Sequence, residues 1–215
     1  MRHALSALKL TVQGAYDEVT PGTNNIDANT HINIESVSIK ATLPTSGKLN
    51  LNNTDANEPL WEETSTTAEK TFSLITTDLV ENLRYANDAN SSTIKPGVGR
   101  SSESTLIATA QDVIAKVSDK DRYFMFIPNK TATDFEVNIK YHVWTTDAAL
   151  SGGFAKVENE ITKTISLTPQ GGKLYTINMI LGMTTVKLEA NVVDWDKTTA
   201  ATPVDLPKNV TPATP

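Results

Sequence analysis

Read in steps of two, the stretch "DFEVNIKYHVW" gives the cleanest alternation in the chain. Phe135, Val137, Ile139, Tyr141 and Val143 alternate with Glu136, Asn138, Lys140 and His142. That is the pattern of a strand with one buried face. Near the N-terminus, Leu8, Leu10 and Val12 alternate with Lys9, Thr11 and Gln13, which predicts a second half-buried strand. "INIESVSIKATL" sets Val37 and Ile39 against Ser36, Ser38 and Lys40. Pro44 and Gly47 then punctuate the chain, and "KLNL" opens a short strand. "YFMFIPN" is a continuous apolar run ended by Pro128, and it predicts a central strand covered on both faces. "SGGFAKVENEITKTISL" supplies a Gly-Gly turn and a strand with Ile161 and Ile165 among threonines. "GKLYTINMILGMTTVKLEANVVDWD" predicts two strands separated at Gly182. Tyr175, Ile177, Met179 and Leu181 share a face in the first; Val186, Leu188, Ala190 and Val192 share one in the second.

The intervening segments are less regular. "GAYDEVTPGTNNIDANTH" collects turn formers and reads as a long loop. Residues 52–68 read as another loop, in which the Trp61 ring covers a core edge, and residues 84–104 as an exposed one. "KTFSLITTDLVENL" reads as a strand followed by a turn of helix. Between Leu106 and Val117 two readings stay open. Leu106, Ala110, Val113 and Val117 fit a helical stripe, whereas Ile107, Val113 and Ala115 also suit strands.

Strands spaced by turns, without helices long enough for crossovers, predict an all-β fold: an antiparallel β-sandwich with long loops and at most one short helix. The chain has 215 residues, 39% of them hydrophobic, enough for one sizeable core. A single sandwich is expected over residues 1–196, followed by a Thr/Pro-rich tail over 197–215. The tail's prolines exclude a central strand and leave a linker, a disordered end or an extended edge segment.

Charge and cysteine content narrow the function classes. A formal net charge of −6, from 19 basic and 25 acidic residues, argues against nucleic acid and against an anionic membrane face. The lack of cysteine removes disulfides, thiol catalysis and most structural zinc sites. No apolar run approaches the roughly 20 residues of a membrane span, so no direct membrane insertion by this chain is expected. "MRHALSALKLTV" is interrupted by Ser6 and Lys9 and does not read as a signal peptide. A cytosolic protein, or a chain that begins downstream of its targeting segment, is expected.

No catalytic, cofactor-binding or metal-ligating motif stands out, and a non-enzymatic protein is expected. His3, His31 and His142 lack metal-ligand spacing, and His142 reads as a surface histidine. Asp194 and Asp196 would suit Ca²⁺ or acid/base work, but no dense oxygen-ligand loop surrounds them. They read as solvated, with Trp195 capping the core at the strand end. A glycosidase using Asp194 or Glu158 as acid is the enzyme alternative. "GVGR" at Gly97–Arg100 lacks the flanks of a dinucleotide site and reads as a flexible loop, with Arg100 exposed to proteases. Asn52 and Asn129 open Asn-x-Ser/Thr triplets.

Five segments in order carry a resemblance: "HALSALKLTV" at His3, "YFMFIPN" at Tyr123, "VNIKYHVWT" at Val137, "GGFAKVENEITKTI" at Gly152, and "GKLYTINMILGMTTVKLEANVVDWD" at Gly172. Together they resemble the fimbrillin family of Bacteroidales, pilins and pilus-associated lipoproteins of type V fimbriae. The resemblance runs from His3 to Asp196, and residues 50–118 carry no part of it. It implies a transthyretin-like, Greek-key sandwich corresponding to the C-terminal domain alone of a longer lipoprotein. The lipid anchor and first domain of that protein would lie upstream, and the targeting segment is absent from this chain.

The function so implied is that of a structural or adhesive subunit of cell-surface fimbriae, associated with the outer membrane. Other fimbrial subunits are the expected partners, joined when an extended segment of one completes the sheet of the next. Val204, Leu206 and Val210 in the tail are the candidate strand-exchange residues. The alternative is a non-catalytic surface module that binds carbohydrate, a host protein or a microbial surface ligand through loop aromatics such as Trp61 and Tyr85. No cofactor is expected.

Overall fold

A computed structural model describes residues 3–14, 30–52, 60–64, 66–75, 78–80, 83, 110–146, 148–151, 153–182, 186–195 and 202–203. The strands are β1 (Ser6–Gly14), β2 (Thr30–Pro44), β3 (Gly47–Leu49), β4 (Trp61–Thr64), β5 (Thr67–Leu74), β6 (Gln111–Asp112), β7 (Phe124–Phe126), β8 (Thr133–Thr146), β9 (Phe154–Leu167), β10 (Lys173–Leu181), β11 (Val186–Asp194) and β12 (Thr202–Pro203). One sheet has the order β12-β11-β10-β1-β6, with β7 also on β1. A second has the order β5-β2-β8-β9, and β3 and β4 form a small ladder of their own. The two larger sheets make an all-β sandwich, as predicted. Among the described residues there is no α-helix, and residues 110–117 hold the short strand β6 and isolated bridges at Ile114 and Val117.

Alternation of apolar residues builds the core. Phe135, Val137, Ile139, Tyr141 and Val143 of β8 face Tyr175, Ile177, Met179 and Leu181 of β10 within one buried cluster. Leu8, Leu10, Ile34, Ile39 and Leu43 complete it from β1 and β2. Burying each such side chain contributes about 1.5–3 kcal/mol. The sheets are also tied by a polar bond inside the core, where the Tyr141 hydroxyl donates to the Gly182 carbonyl at 3.1 Å.

Several strands depart from expectation. β1 is buried on both faces rather than one, and it also lies inside its sheet. It pairs with β10 on one side and with β6 and β7 on the other. Its polar residues are covered by neighbours: Thr11 bonds Asn178 at 3.0 Å and Lys9 pairs with Asp112 at 2.7 Å. The β1–β10 ladder is parallel, running from Ala7↔Leu174 to Gly14↔Leu181, so this sheet is mixed rather than wholly antiparallel. "YFMFIPN" yields only the short strand β7, which pairs with β1 alone, not a central strand. Phe126 is buried there and Phe124 packs on the core, but Met125 is 56% exposed. The segment expected as a loop over residues 52–68 holds β4 and the start of β5.

Candidate functional site

The sheet edges are the places where this fold could take a further strand. β11 is the last full strand of its sheet. Its register with β10 puts Val186, Leu188, Ala190 and Val192 opposite Leu181, Met179, Ile177 and Tyr175, so these residues share the core face. Lys187, Glu189 and Asn191 take the other face, where Lys187 pairs with Glu189 at 2.9 Å. On the far side of β11 lies the chain's own tail. β12 pairs antiparallel with it, Asn191 with Pro203 and Val192 with Thr202. Pro203 lacks a backbone N–H, which an edge strand tolerates and an interior one does not. Beneath this contact, Asn191 Oδ1 is buried with no hydrogen-bond partner among the described residues.

One end of the sandwich is fixed by the turn before β10. The Tyr175 hydroxyl donates to Thr168 O at 2.9 Å and accepts from the Gln170 N–H at 3.0 Å. Burial pushes this hydroxyl's pKa up, and the Gln170 bond offsets part of that. Ser6 Oγ donates to Gln170 O at 2.6 Å, and the Gly172 N–H donates to Leu5 O at 2.9 Å, so the turn docks on the start of β1. Gly172 has φ +75°, and a Cβ at Gly171 would lie 2.8 Å from Ala4 O. Both positions therefore need glycine, one for its backbone angle and one for its lack of volume.

Aromatic rings collect at the same end. Trp195, half-buried after β11, stacks on His3 with centroids 4.3 Å apart and meets Tyr123 edge-on at 6.2 Å. Its backbone N–H donates to Gly172 O at 2.9 Å. Burial, then the bond to Asp121, raises the Tyr123 pKa. Lys116 in turn holds Asp121 below the ordinary carboxylate range through a hydrogen bond. Trp61 opens β4, and its indole N–H donates to Ala4 O at 2.7 Å. Asp194 is paired with Lys173 on the adjacent strand.

On the outer face of the second sheet, His142 is not a surface residue: it is only 4% exposed. A β-bulge between Ile34 and Ser36 leaves Glu35 as the extra residue of β2. Its carboxylate lies 3.0 Å from His142 Nε2, and Glu158 lies 3.7 Å from Nδ1. Glu158 is held in its charged form mainly by its hydrogen bond with Lys156.

The structure thus brings Trp195 together with His3 and Tyr123, two partners that sequence reading did not single out. Trp61 lies at the same end, with its indole N–H engaged by the carbonyl of Ala4, the residue after His3. Tyr85, Asp196, Val204, Leu206 and Val210 lie outside the described residues. The clue to the β11 edge was present in the sequence as an unbroken apolar face, from Val186 to Val192, followed by a proline-bearing tail.

No family model and no curated protein matches the chain. Among solved structures it is similar to a fimbrial protein from Bacteroides vulgatus ATCC 8482, at 14% identity and TM-score 0.45, over 90% of this chain and 55% of that one. It is also similar to a "putative cell adhesion protein" from Bacteroides ovatus ATCC 8483, at 10% identity and TM-score 0.36, over 92% of this chain and 47% of that one. A protein of the same description from Bacteroides eggerthii DSM 20697 aligns at 13% identity and TM-score 0.32, over 90% and 56%. The chain spans about half the length of these structures.

Proposed function

We propose that this chain is a non-catalytic structural or adhesive subunit of cell-surface fimbriae, and that subunits join by adding an extended segment of one to a sheet edge of the next. The observation that supports this most directly is the antiparallel pairing of Thr202 and Pro203 on β11. That edge already takes an extended segment through main-chain hydrogen bonds, the chemistry of strand addition. Here the segment comes from the same chain; in an assembly it would come from a neighbour. The run of resembling segments from His3 to Asp196 supports the fimbrial setting, and with it a place at the cell surface beside the outer membrane, in a longer lipid-anchored protein.

The binding-module alternative gains nothing from Trp61, whose N–H is engaged by Ala4. The assembly reading is tested by removing residues 198–215 and titrating in a peptide of that sequence. A rise in melting temperature that grows with peptide concentration is expected, because a ligand that binds only the folded state stabilises it. No shift at saturating peptide would count against the reading.

A further inference from the structure

We infer that strand addition is confined to the β11 edge because two lysines, Lys70 on β5 and Lys163 on β9, close both edges of the second sheet to another copy of the chain. This inference rests on the strand-addition reading and names the edge on which it operates.

Register fixes where these lysines stand. In an antiparallel ladder, directly opposed residues lie on the same face. Lys163 is opposite Val137, between Ile161 opposite Ile139 and Ile165 opposite Phe135. Lys70 is opposite Ala41, between Ala68 opposite Leu43 and Phe72 opposite Ile39. Val137, Ile139, Phe135, Ala41, Leu43 and Ile39 all belong to the buried core. Each lysine therefore occupies a core-side position within an edge strand, yet both remain solvent-exposed. A further strand on either edge would trap an ammonium group between the two sheets. Taking an unpaired charge out of water costs far more than the new ladder returns. Inward charges, lysine above all, are a known means by which edges resist pairing.

The remaining edges differ. The second side of β1 is covered by β6 and β7, which are two and three residues long and offer little template. On β11 the core-side residues from Val186 to Val192 are all apolar, and its lysine, Lys187, faces outward. It is the long edge without an inward lysine, and it is the one on which the tail lies.

Without its lysine, β9 is expected to take the β9 of a second copy. Symmetric antiparallel pairing about Ile161 would set Val157 opposite Ile165 on the core side. In the native sequence the same pairing sets Lys163 opposite Asn159, buried from both copies.

The test keeps composition and net charge constant. Lys163→Thr combined with Thr164→Lys moves the ammonium group one residue along, to the solvent face. There it would oppose Glu158 of the second copy. Lys70→Thr with Thr71→Lys does the same on β5, and serves should the β9 exchange fail to fold. Sedimentation of the whole chain over a concentration series reads the outcome. The exchanged variants are expected to self-associate about tenfold or more tightly than the native chain, while Lys163→Arg behaves as native. Exchanged variants that fold and stay as dissociated as the native chain would overturn the inference, as would self-association of Lys163→Arg. Tail-peptide stabilisation, measured on tail-deleted forms of the same variants, is expected to be unchanged. Its persistence alongside a negative sedimentation result would refute the lysine guard while leaving strand addition standing. Its absence from the tail-deleted native chain would refute strand addition itself.

Discussion

Removing the Tyr141 hydroxyl is expected to cost more stability than removing that of Tyr175, because its acceptor is buried. Tyr141→Phe deletes the donor to Gly182 O at 3.1 Å, and both residues are buried. The Gly182 carbonyl would then stay in the core without that donor. An unsatisfied buried acceptor costs about 1–3 kcal/mol, so about 2 kcal/mol is expected. Tyr175→Phe frees Thr168 O and the Gln170 N–H, but Thr168 and Gln170 are exposed and water can replace the hydroxyl. The loss should stay near about 1 kcal/mol. For a chain of this size the first variant should melt about 4–8 °C lower and the second about 2–4 °C lower. Urea unfolding would give both free energies, with unchanged slopes confirming that the end states are the same. A Tyr141→Phe variant as stable as the native protein, or less affected than Tyr175→Phe, would refute the argument that burial of the partner sets the cost.

Other consequences follow from the end of the sandwich. Gly171→Ala puts a Cβ 2.8 Å from the Ala4 carbonyl, backbone against backbone. It should cost about 1–3 kcal/mol by forcing β1 and β10 apart, read as a lower urea midpoint. The pKa values of Tyr123 and Tyr175 are raised above 10.0, chiefly by burial. Their contribution to stability is therefore complete below the unfolded value and is lost as pH rises through the folded values. The melting temperature should fall as pH rises past 10.0, and Tyr123→Phe with Tyr175→Phe should flatten that slope. An unchanged slope in the double variant would exclude these hydroxyls as its source.

Much of the fold was legible because local alternation is strong where one face is buried. β8 and the β10–β11 pair appear in the sequence with their inward residues correctly assigned. What failed depends on partners rather than on the segment itself. "YFMFIPN" is apolar throughout, yet it sits at an edge, since Phe124 and Phe126 satisfy the core and Met125 is left outside. Nothing local in β1 says that β10, more than 150 residues onward in the sequence, will lie parallel to it. His142 reads as polar-face and exposed, because the bulge that aims Glu35 at it is set by a mismatch between two strands. The guarding lysines were visible in principle: Lys163 falls in step with Ile161 and Ile165, and Lys70 with Phe72 and Leu74. Their meaning emerged only once β9 and β5 were found at edges.

Backbone hydrogen exchange tests, strand by strand, the proposal that β11 is the acceptor edge. In protein lacking residues 198–215, the β11 amides around Asn191 and Val192 should exchange faster than in the full chain. Added tail peptide should restore their protection, while β5 and β9 are unchanged. Protection appearing on β5 or β9, or none appearing on β11 at saturating peptide, would contradict it.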